Sequence, residues 1–513
     1  MQESRTKNSV LNLVAALAGQ GINIVLNFAV RTIFIRTLST EYLGLNGLFT
    51  NILSFLSLAE LGVGSAITFC LYKPIAEQNE EEISILMNLF KRAYIIVGAV
   101  VLIVGIGLTP FLHLFIAEMP KGIPNISLIY ILFVVNSGIS YFCSYKAIYV
   151  IANQKNYIVT NNKFLFRIIV AILQILVLVL FKDYITYLVI KVVGTLFENV
   201  SITIIANKKY PVLKKKTTKK LNAETQNVIV ANIKAVFVNR IGSVIITSTD
   251  NILLSKIFGL GIVGLYSNYS LLIVTVEGLL SRFFTAITAS VGNMSVATSK
   301  EKQNDIYELI NFIQFWMYSF STVAFAALFN SFIELWIGKE YLIDTLCMVF
   351  AIANFYINGM RQSNIVFNTT YGLARYYTWL PIPTALFNLF SSIGLAFIIG
   401  PAGVFAGTTL STLCTSFWME PWMLMKRGLH GSLKKYWINY SKYTLTTLIS
   451  LGVTFYLCNL IVENGIFGFV LKMLIVMIVP NVAICILYHK TSEFKYLLGM
   501  LQKILNKKDK RSL

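Results

Sequence analysis

The sequence predicts an all-α polytopic membrane protein with fourteen transmembrane helices. Of its 513 residues, 56% are hydrophobic and only 13% are charged, and the mean hydropathy is +0.70. Soluble globular domains carry about 25% charged residues. The apolar residues are also grouped in runs of about twenty, the length at which a helix spans a bilayer.

The fourteen predicted helices follow one another through short connections. We expect them at residues 10–34, 43–72, 91–116, 124–150, 157–180, 183–206, 227–256, 261–293, 307–333, 342–372, 376–399, 402–425, 436–461 and 465–488. The first is too long for the apolar core of a signal peptide, and no small-residue cleavage site follows it. We therefore expect it to remain in the mature protein.

The distribution of basic residues orients these helices. With both termini in the cytoplasm, 28 of the 43 Lys and Arg residues fall in cytoplasmic segments, 5 in external loops and 10 within the spans. This bias follows the positive-inside rule and explains most of the net charge of +20 without a nucleic-acid partner. Attraction to anionic lipids explains the basic stretches 208–220 and 490–511, and a protein-docking role remains the alternative.

The chain is predicted to contain a duplication. A shift of 220 residues without a gap brings Asn12 onto Asn232, Gly44 onto Gly264 and Glu81 onto Glu301. Six helices per copy give two parallel repeats, related by an axis along the membrane normal. The predicted domains are an N lobe at 1–206, a basic cytoplasmic linker at 207–226, a C lobe at 227–427, helices 13 and 14 at 428–489, and a basic amphipathic tail at 490–513.

A polar stripe occurs once in each repeat. In the first predicted helix it consists of Gln20, Asn23, Asn27 and Arg31, and at the same offset of 220 in the seventh it consists of Arg240, Ser243, Thr247 and Asn251. A charge in hydrocarbon is costly and usually faces a bundle interior or a watery cavity. Arg31 is close enough to a membrane face to be an interfacial anchor, whereas Arg240 lies deep in its span.

Charges within the spans are mostly basic. There are ten basic and five acidic residues: Arg31, Glu60, Lys146, Arg167, Lys191, Glu198, Lys234, Arg240, Asp250, Glu277, Arg282, Arg361, Glu420, Lys442 and Lys472. Those nearest the helix ends, Lys146, Lys234, Glu420, Lys442 and Lys472, can extend to the interface. Lys191 and Glu198 share a helix face seven residues apart, which fits either a structural pair or a transport role.

The deeper charges are the candidate site residues. Glu277 continues into Ser281, Thr285 and Thr288, and Arg361 follows Asn354 and Asn358, again at helical spacing. These faces either line a cavity or form buried ion pairs. We predict that Arg31, Arg240, Arg282 and Arg361 bind substrate together with the polar residues of the two stripes, because guanidinium matches phosphate oxygens well. We assign coupling or gating to Glu60, Asp250 and Glu277.

No cofactor is expected. The six cysteines are scattered without a CxxC spacing, the three histidines lie far apart, and no GxxxxGK[ST] phosphate loop occurs.

Two segments carry a family resemblance. Residues 31–36 running into 41–49, and their counterparts 250–255 running into 264–269, resemble Wzx-type polysaccharide flippases of the multidrug/oligosaccharidyl-lipid/polysaccharide exporter superfamily. The resemblance, together with six plus six plus two helices, implies two lobes that alternate between inward-open and outward-open forms. It implies a central cavity lined mainly by helices 1, 2, 7 and 8.

The resemblance also implies a cargo. It is an undecaprenyl-pyrophosphate-linked oligosaccharide, moved from the cytoplasmic to the external leaflet of a bacterial cytoplasmic membrane for capsule, exopolysaccharide or O-antigen assembly. Membrane lipids and a polysaccharide polymerase are the other expected partners. In the related lipid II flippases helices 13 and 14 form a groove for the lipid tail, but Lys442 and Lys472 interrupt those helices here.

Three alternatives remain open at this stage. A lipid II flippase is the nearest. A cation-coupled multidrug antiporter of the same superfamily would have twelve spans and an acidic drug site. A membrane polymerase or glycosyltransferase would need a sizeable catalytic loop or a DxD pair, and the sequence has no DxD.

Overall fold

The computed structural model describes residues 5–60, 63–120, 122–215, 217, 223–463 and 465–509. Within these residues the long regular elements are helices: α1 (Arg5–Thr37), α2 (Thr40–Leu56), α3 (Val63–Ala76), α4 (Glu80–Gly107), α5 (Ile126–Ala152), α6 (Asn156–Leu180), α7 (Tyr184–Lys209), α8 (Ala223–Phe258), α9 (Leu260–Ala297), α10 (Lys300–Trp336), α11 (Thr345–Gly359), α12 (Gln362–Thr370), α13 (Pro381–Ile399), α14 (Ala402–Cys414), α15 (Ser416–Met423), α16 (Leu433–Asn459), α17 (Gly465–Tyr488) and α18 (Ser492–Asp509). The all-α polytopic class predicted from the sequence is confirmed.

Side-chain caps explain several helix starts that hydropathy does not locate. Asn79 accepts a hydrogen bond from the backbone N–H of Glu82, so α4 begins eleven residues before its predicted start at residue 91. Ser299 caps α10 in the same way, seven residues before its predicted start. A side-chain oxygen at this position satisfies an N–H group that the first helical turn leaves without a partner. These first turns are polar, and a hydropathy window therefore excludes them.

The predicted helix 91–116 ends early, because α4 stops at Gly107 and a 3-10 helix follows at Thr109–Leu114. Three other predicted helices are broken in their interior. The segment 43–72 divides into α2, a 3-10 helix at Ser57–Glu60 and α3, while 342–372 divides into α11 and α12. The segment 402–425 divides into α14 and α15, and a π-helix follows at Leu424–Leu429. The prediction of continuous helices in these three places was wrong. Each segment contains residues that weaken the hydrogen-bond ladder.

Those residues differ from break to break. Gly62 and Gly64 follow Glu60, and glycine is unfavourable in a helix interior. Gly359 ends α11 beside Tyr318, so close that a Cβ there would lie 2.0 Å from the Tyr318 ring. Thr415 leaves the helical region at φ −125° and ψ −91°, and Pro421 further along lacks a backbone N–H. Interrupted helices at membrane depth occur where the backbone is buried in protein or lines a cavity.

Seven helices in the described residues are long and apolar enough to cross a membrane. They are α4, α6, α7, α9, α10, α13 and α17, and α5, which is bent by 44°, would be an eighth. The count of fourteen spans stays a prediction, although each of the fourteen predicted segments is occupied by one helix or by a broken pair.

The chain forms two compact units, Met1–Ser267 and Asn268–Leu513. In the first unit α4 packs on α5, α5 on α7, α1 on α6, and α2 on α8. In the second unit α13 packs on α14, and α10 packs on α11, α16 and α17. The predicted lobe, linker and tail boundaries stay predictions. The tail does form a helix, α18, and its Phe494 stacks on Trp316 of α10 at 5.8 Å between ring centroids.

Candidate functional site

The polar stripe of α1 faces other helices of the first unit. The side chain of Asn27 accepts a hydrogen bond from Arg167 Nη2 of α6 at 3.0 Å. One turn further, Arg31 Nη2 donates to the hydroxyl of Ser267 near the start of α9. The Asn23 Oδ1 atom is buried without a hydrogen-bond partner, and Gln20 is half-buried. The helical spacing of the stripe therefore produces a shared polar face.

Glycine allows α1 to approach α6 closely enough for this contact. A Cβ at Gly19 would lie 1.5 Å from the ring of Phe164, so a larger residue would require either the Phe164 ring or the helices to move. The Asn12 side chain joins the same helices at their other end. It accepts from the backbone N–H of Tyr157 at 2.7 Å and donates to the Gln154 carbonyl at 3.0 Å.

Three basic side chains lie on or next to this stripe, and we call them the cation cluster: Arg31 of the stripe itself, Arg167, which bonds to Asn27, and Lys191, which is near Arg167. Arg167 interacts electrostatically with Lys191 of α7, whose ammonium lies 5.2 Å from the centroid of the Phe133 ring. Arg31 lies close to Tyr184 and Tyr187, also on α7. Neither Arg167 nor Lys191 is among the site residues predicted from the sequence. The only signal for Arg167 was a charge within a span, whereas Lys191 shares a helix face with Glu198, for which a transport role was left open.

A polar cavity of 400 Å³ lies in the same unit. The carboxylates of Glu60 and Glu198 line it, together with Lys163 and with polar side chains that include Asn162 and Tyr94. Tyr94 donates to Glu60 Oε1 at 2.8 Å. Glu60 was predicted in the middle of a continuous span and instead ends a 3-10 helix at a break. Its role in coupling or gating stays a prediction.

The second stripe lies on α8. The backbone of α8 places Arg240, Ser243 and Thr247 at helical spacing, and their side chains lie outside the part of the chain that the structure describes. Asn251 is half-buried, and its Oδ1 atom is enclosed without a hydrogen-bond partner. Asp250, the neighbouring predicted gating residue, is half-buried on the same helix.

The start of α2, which follows the first stripe, contacts the start of α9, which follows the second stripe. The contacts are reciprocal, and all of them lie within Met1–Ser267. Gly44 of α2 packs on Leu260 of α9, where a Cβ would lie 2.1 Å from the Leu260 carbonyl oxygen. Gly264 of α9 packs on Thr40 of α2, where a Cβ would lie 2.2 Å from the Thr40 carbonyl oxygen. Thr40 and Leu260, like Gly44 and Gly264, are 220 positions apart. The contact is therefore symmetric in the register of the predicted duplication.

The same reciprocity extends to the ends of both stripes. Arg31 contacts Ser267, and the residues 220 positions away from this pair, Asn251 and Gly47, are also neighbours. A Cβ at Gly47 would lie 3.9 Å from Asn251 Nδ2. Arg31 of α1 and Asn251 of α8 thus lie at one pseudo-symmetric crossing, in the register of the predicted duplication.

The predicted face of Asn354, Asn358 and Arg361 is tied to neighbouring helices of the second unit. Arg361 forms a bidentate ion pair with Glu420 of α15, with Nε to Oε2 at 2.9 Å and Nη2 to Oε1 at 2.6 Å. Their side chains are only 14% and 7% exposed. Asn358 accepts from Arg361 Nη1 at 2.8 Å, and Asn354 donates to the Phe405 carbonyl at 3.0 Å.

Both members of this ion pair lie at helix breaks. Arg361 stands between α11 and α12, and Glu420 lies in the short helix α15 after Thr415. Asn368 of α12 donates to the Glu420 backbone carbonyl at 3.0 Å, which joins the two broken segments a second time. From the sequence, Glu420 was expected to extend to the membrane interface because it lies near a predicted helix end. The structure instead buries it against Arg361, and a substrate-binding role for Arg361 stays a prediction.

The remaining predicted residues lie on α9 in the second unit. Glu277 is half-buried near Tyr318 of α10, and Arg282 is exposed. The hydroxyls along this stripe bond to their own helix: Thr285 donates to the Ser281 carbonyl and Thr288 to the Phe284 carbonyl. The face exists as predicted from the spacing, and its function stays a prediction.

A family model described as "Polysaccharide biosynthesis protein" matches residues 9–288, more than half of the chain. The chain belongs to this family. The match covers the predicted N lobe from residue 9 onward, and it continues through α8 and most of α9. A search of curated protein sequences found no match.

Solved structures with similar folds include a lipid II flippase and multidrug exporters. The lipid II flippase MurJ, in an inward closed conformation, aligns with a TM-score of 0.69 at 15% identity, covering 94% of this chain and 99% of that one. An inward-facing multidrug resistance MATE family transporter of the MOP superfamily has a TM-score of 0.59 at 16% identity, covering 79% and 94%. A variant of the Vibrio cholerae MATE transporter VcmN has 0.56 at 14%, covering 83% and 99%.

These likenesses show the fold, and the family model shows the membership. Both agree with the superfamily recognised from the sequence. They also agree with the predicted class, a membrane transporter and not an enzyme. Because the MurJ alignment covers 94% of this chain, the segments with broken helices belong to the shared fold.

Proposed function

We propose that the protein is a flippase that moves an undecaprenyl-pyrophosphate-linked oligosaccharide from the cytoplasmic to the external leaflet for polysaccharide export. The observation that carries the proposal is the cation cluster of Arg31, Arg167 and Lys191 beside the polar face of α1. Stripping water from a pyrophosphate and several sugars costs far more than thermal energy, so the head of such a lipid needs a polar path. The polyprenyl tail can stay in the hydrocarbon.

The cation cluster suits the pyrophosphate. Guanidinium groups bind phosphate oxygens through two parallel hydrogen bonds, and Arg167 contributes a partly exposed one. Lys191 adds charge at the same depth. Asn23 and Asn251, whose Oδ1 atoms are enclosed without partners, can accept hydrogen bonds from sugar hydroxyls. Dispersed weak contacts of this kind favour release, which translocation requires as much as binding.

The proposal includes a transport cycle, a location and a partner. Alternating access would open and close the crossing at Gly44 and Gly264, with Glu60, Asp250 and Glu277 as coupling or gating residues. The protein would work in a bacterial cytoplasmic membrane with both termini inside, and deliver its product to a polysaccharide polymerase. An acidic site for a cationic drug would require the opposite charge from the cation cluster. For this reason we rank the multidrug antiporter lower.

A lipid II flippase is the second candidate. The fold likeness to MurJ over 94% of the chain supports it. The head of lipid II shares the pyrophosphate and sugars, so the cation cluster suits it equally well. The two candidates differ in the sugars and the peptide, and they are separated by offering each lipid to the same preparation.

The test uses the purified protein in liposomes that contain a labelled lipid-linked oligosaccharide. An enzyme outside the vesicles should modify the labelled head in protein-containing vesicles and not in empty ones. The variant Arg31→Gln/Arg167→Gln should slow this transfer about a hundredfold, if each residue contributes about the 1.4 kcal/mol of a tenfold effect. Lys472→Gln removes a cation of α17 in the second unit, where its ammonium contacts Ser331, and should keep the native rate.

The sequence-only candidates need their own variants in that assay. Arg240→Gln and Arg282→Gln test the predicted contributions of α8 and α9. Transfer of lipid II but not of the oligosaccharide lipid would favour the second candidate. Transfer of neither, or native rates in every arginine variant, would reject the proposed mechanism.

A further inference from the structure

The second unit has an open aromatic groove that the proposed function does not use. Its volume is 590 Å³, and four of the six tryptophans of the chain line it: Trp379, Trp418, Trp422 and Trp437. They come from the segment before α13, from α15 and from α16. Volume and aromatic lining fall within the range of small-molecule binding sites.

The inner wall of the groove consists of aromatic rings that pack against one another. The Trp418 and Trp437 rings lie 4.4 Å apart between centroids, and Phe417 lies behind them at 4.9 Å from Trp437. Trp418 and Trp422, one turn apart on α15, are 55% and 37% exposed on its outer side. Glu420 between them points inward to Arg361. The helix that presents tryptophans to the groove therefore also holds the buried ion pair.

A basic rim borders the groove. Lys426 lies over the Trp422 ring at 4.9 Å. Arg375 and Arg427 both lie over the Tyr376 ring, at 4.9 and 4.3 Å, and Arg375 Nη2 donates to the Tyr376 hydroxyl at 3.0 Å. These residues belong to the segments after α12 and after α15. The predicted topology assigns both segments to the cytoplasmic side.

A second groove of 550 Å³ continues along α16. Trp437 belongs to both grooves, and Lys434, Ser441 and Lys442 line the second. Lys435, next to Lys434, points elsewhere and forms an ion pair with Glu308. The two grooves together give a long apolar surface with lysines along one side.

The charge of this region is one-sided. Between residues 371 and 445 the sequence contains six basic residues and a single acidic one, Glu420. The basic residues are Arg375, Lys426, Arg427, Lys434, Lys435 and Lys442. Glu420 pairs with Arg361, and Lys435 pairs with Glu308, so the other five basic residues give the rim an excess of positive charge.

We propose that this surface binds an anionic phospholipid, with the phosphate at Lys426 and Arg427 and an acyl chain against the four tryptophans. Basic pockets between membrane helices on the cytoplasmic side bind phosphate head groups, and each basic residue contributes about 1 kcal/mol, or about fivefold. The tryptophans supply a rigid apolar surface whose indole N–H groups can face the interface. A bound lipid would pack on α15 and thereby support the helix that carries Glu420.

The tryptophans themselves are the probe. In the variant Trp316→Phe/Trp336→Phe, the four groove tryptophans are the only ones in the chain. We expect phosphatidylglycerol with brominated acyl chains to quench their fluorescence at a concentration at least fivefold lower than brominated phosphatidylcholine. Adding Lys426→Gln/Arg427→Gln should abolish this preference. The matched control, Lys91→Gln/Arg92→Gln, removes an exposed adjacent Lys–Arg pair from α4 and should leave it unchanged.

Native mass spectrometry of the protein with all six tryptophans gives a second measurement that does not depend on those replacements. It should find retained phosphatidylglycerol on the native chain and on the α4 control, and at least fivefold less on Lys426→Gln/Arg427→Gln. Equal quenching by both lipids would mean that the tryptophans are an aromatic belt in bulk lipid and would overturn the proposal. A preference that survives in Lys426→Gln/Arg427→Gln would overturn the assigned phosphate position.

Discussion

Two arginines at membrane depth have opposite surroundings in the two units. Arg361 of the second unit is matched by both oxygens of Glu420, and the pair is nearly closed to solvent. Arg167 of the first unit donates to the neutral amide of Asn27, lies near Lys191, and is exposed. The Glu198 carboxylate also interacts electrostatically with Arg167, and Lys163 attracts the same carboxylate.

This difference indicates that Arg361 stabilises the fold, whereas Arg167 is placed where it could bind an anionic substrate. A buried guanidinium that has a carboxylate partner gains little from an incoming anion, because it would first have to lose that partner. Arg167 and Lys191 carry like charges and interact unfavourably, and a bound anion would relieve this repulsion. The sequence did not distinguish Arg167 from Arg361, because both are basic residues within predicted spans.

The largest expected effect concerns the buried pair. Glu420→Leu should lower the free energy of unfolding by about 3–5 kcal/mol, because it leaves a buried guanidinium without its counter-charge. Unfolding in detergent, followed by tryptophan fluorescence, measures this. The double variant Arg361→Met/Glu420→Leu should recover most of the loss. If the double variant is as unstable as the single one, the pair is not what holds the two broken helices.

The crossing of the first unit should be the next most sensitive place. Gly264→Val should cost about 1–3 kcal/mol, because a side chain there meets the Thr40 backbone and α2 and α9 must separate. The same fluorescence assay applies. Gly21→Ala in α1, where nothing lies within 4 Å, should instead be neutral or slightly stabilising. Equal effects of both variants would contradict the close approach of α2 and α9.

The single variant Arg167→Gln should separate transport from stability. We expect flipping to slow about tenfold, the equivalent of about 1.4 kcal/mol, while the free energy of unfolding changes by less than about 0.5 kcal/mol. Arg361→Gln should show the reverse order, with stability lost first. If Arg167→Gln unfolds the protein, the cation cluster is a structural device and the comparison between the units fails.

The smallest effect concerns Asp183, the cap residue that precedes α7 and lies just outside the candidate span Tyr184–Lys209. Asp183 accepts hydrogen bonds from the backbone N–H groups of Ile185 and Thr186 and from the Thr186 hydroxyl. Desolvation raises the pKa of Asp183, but these hydrogen bonds outweigh it and lower the pKa below its usual value. The cap therefore stabilises the protein above pH about 4, and the contribution is lost as pH falls through the lowered pKa.

Asp183→Ala should thus cost about 1 kcal/mol at pH 7 and progressively less in acid. Asp344 caps α11 of the second unit in the same way, by accepting from Leu346 and Cys347, and Asp344→Ala is the matched variant. Thermal unfolding between pH 3 and 7 measures both. A pH-independent loss in Asp183→Ala would contradict the assigned cap.

Much of the architecture was predictable because it is local. A run of twenty apolar residues dictates a helix in lipid regardless of its neighbours, and each of the fourteen predicted segments is helical. Polar caps and helix breaks were missed for a related reason. Hydropathy averaged over a window excludes a polar first turn, as at Asn79, and passes over a single irregular residue such as Thr415.

The site was only partly predictable because its partners are remote in sequence. Arg167 meets Asn27 across 140 residues, and Arg361 meets Glu420 across 59. Glu420 seemed explained by its place near a helix end, and only its burial reveals the pairing. The reciprocal contacts of Gly44 and Gly264 are the exception, since the offset of 220 had already related the two glycines.

The sequence by itself determined that this protein lies in a membrane. It also determined the helices, the spacing of the polar faces and the sign of the charge within the spans. These follow from composition and from the 3.6-residue period, which require no knowledge of neighbours. Only the tertiary structure decided which charges pair with a carboxylate, as Arg361 does with Glu420, and which lie beside a neutral or basic group, as Arg167 does beside Asn27 and Lys191. That depends on which helices touch, and the contacts of a charge, rather than its presence, set its free energy in a medium of low dielectric constant.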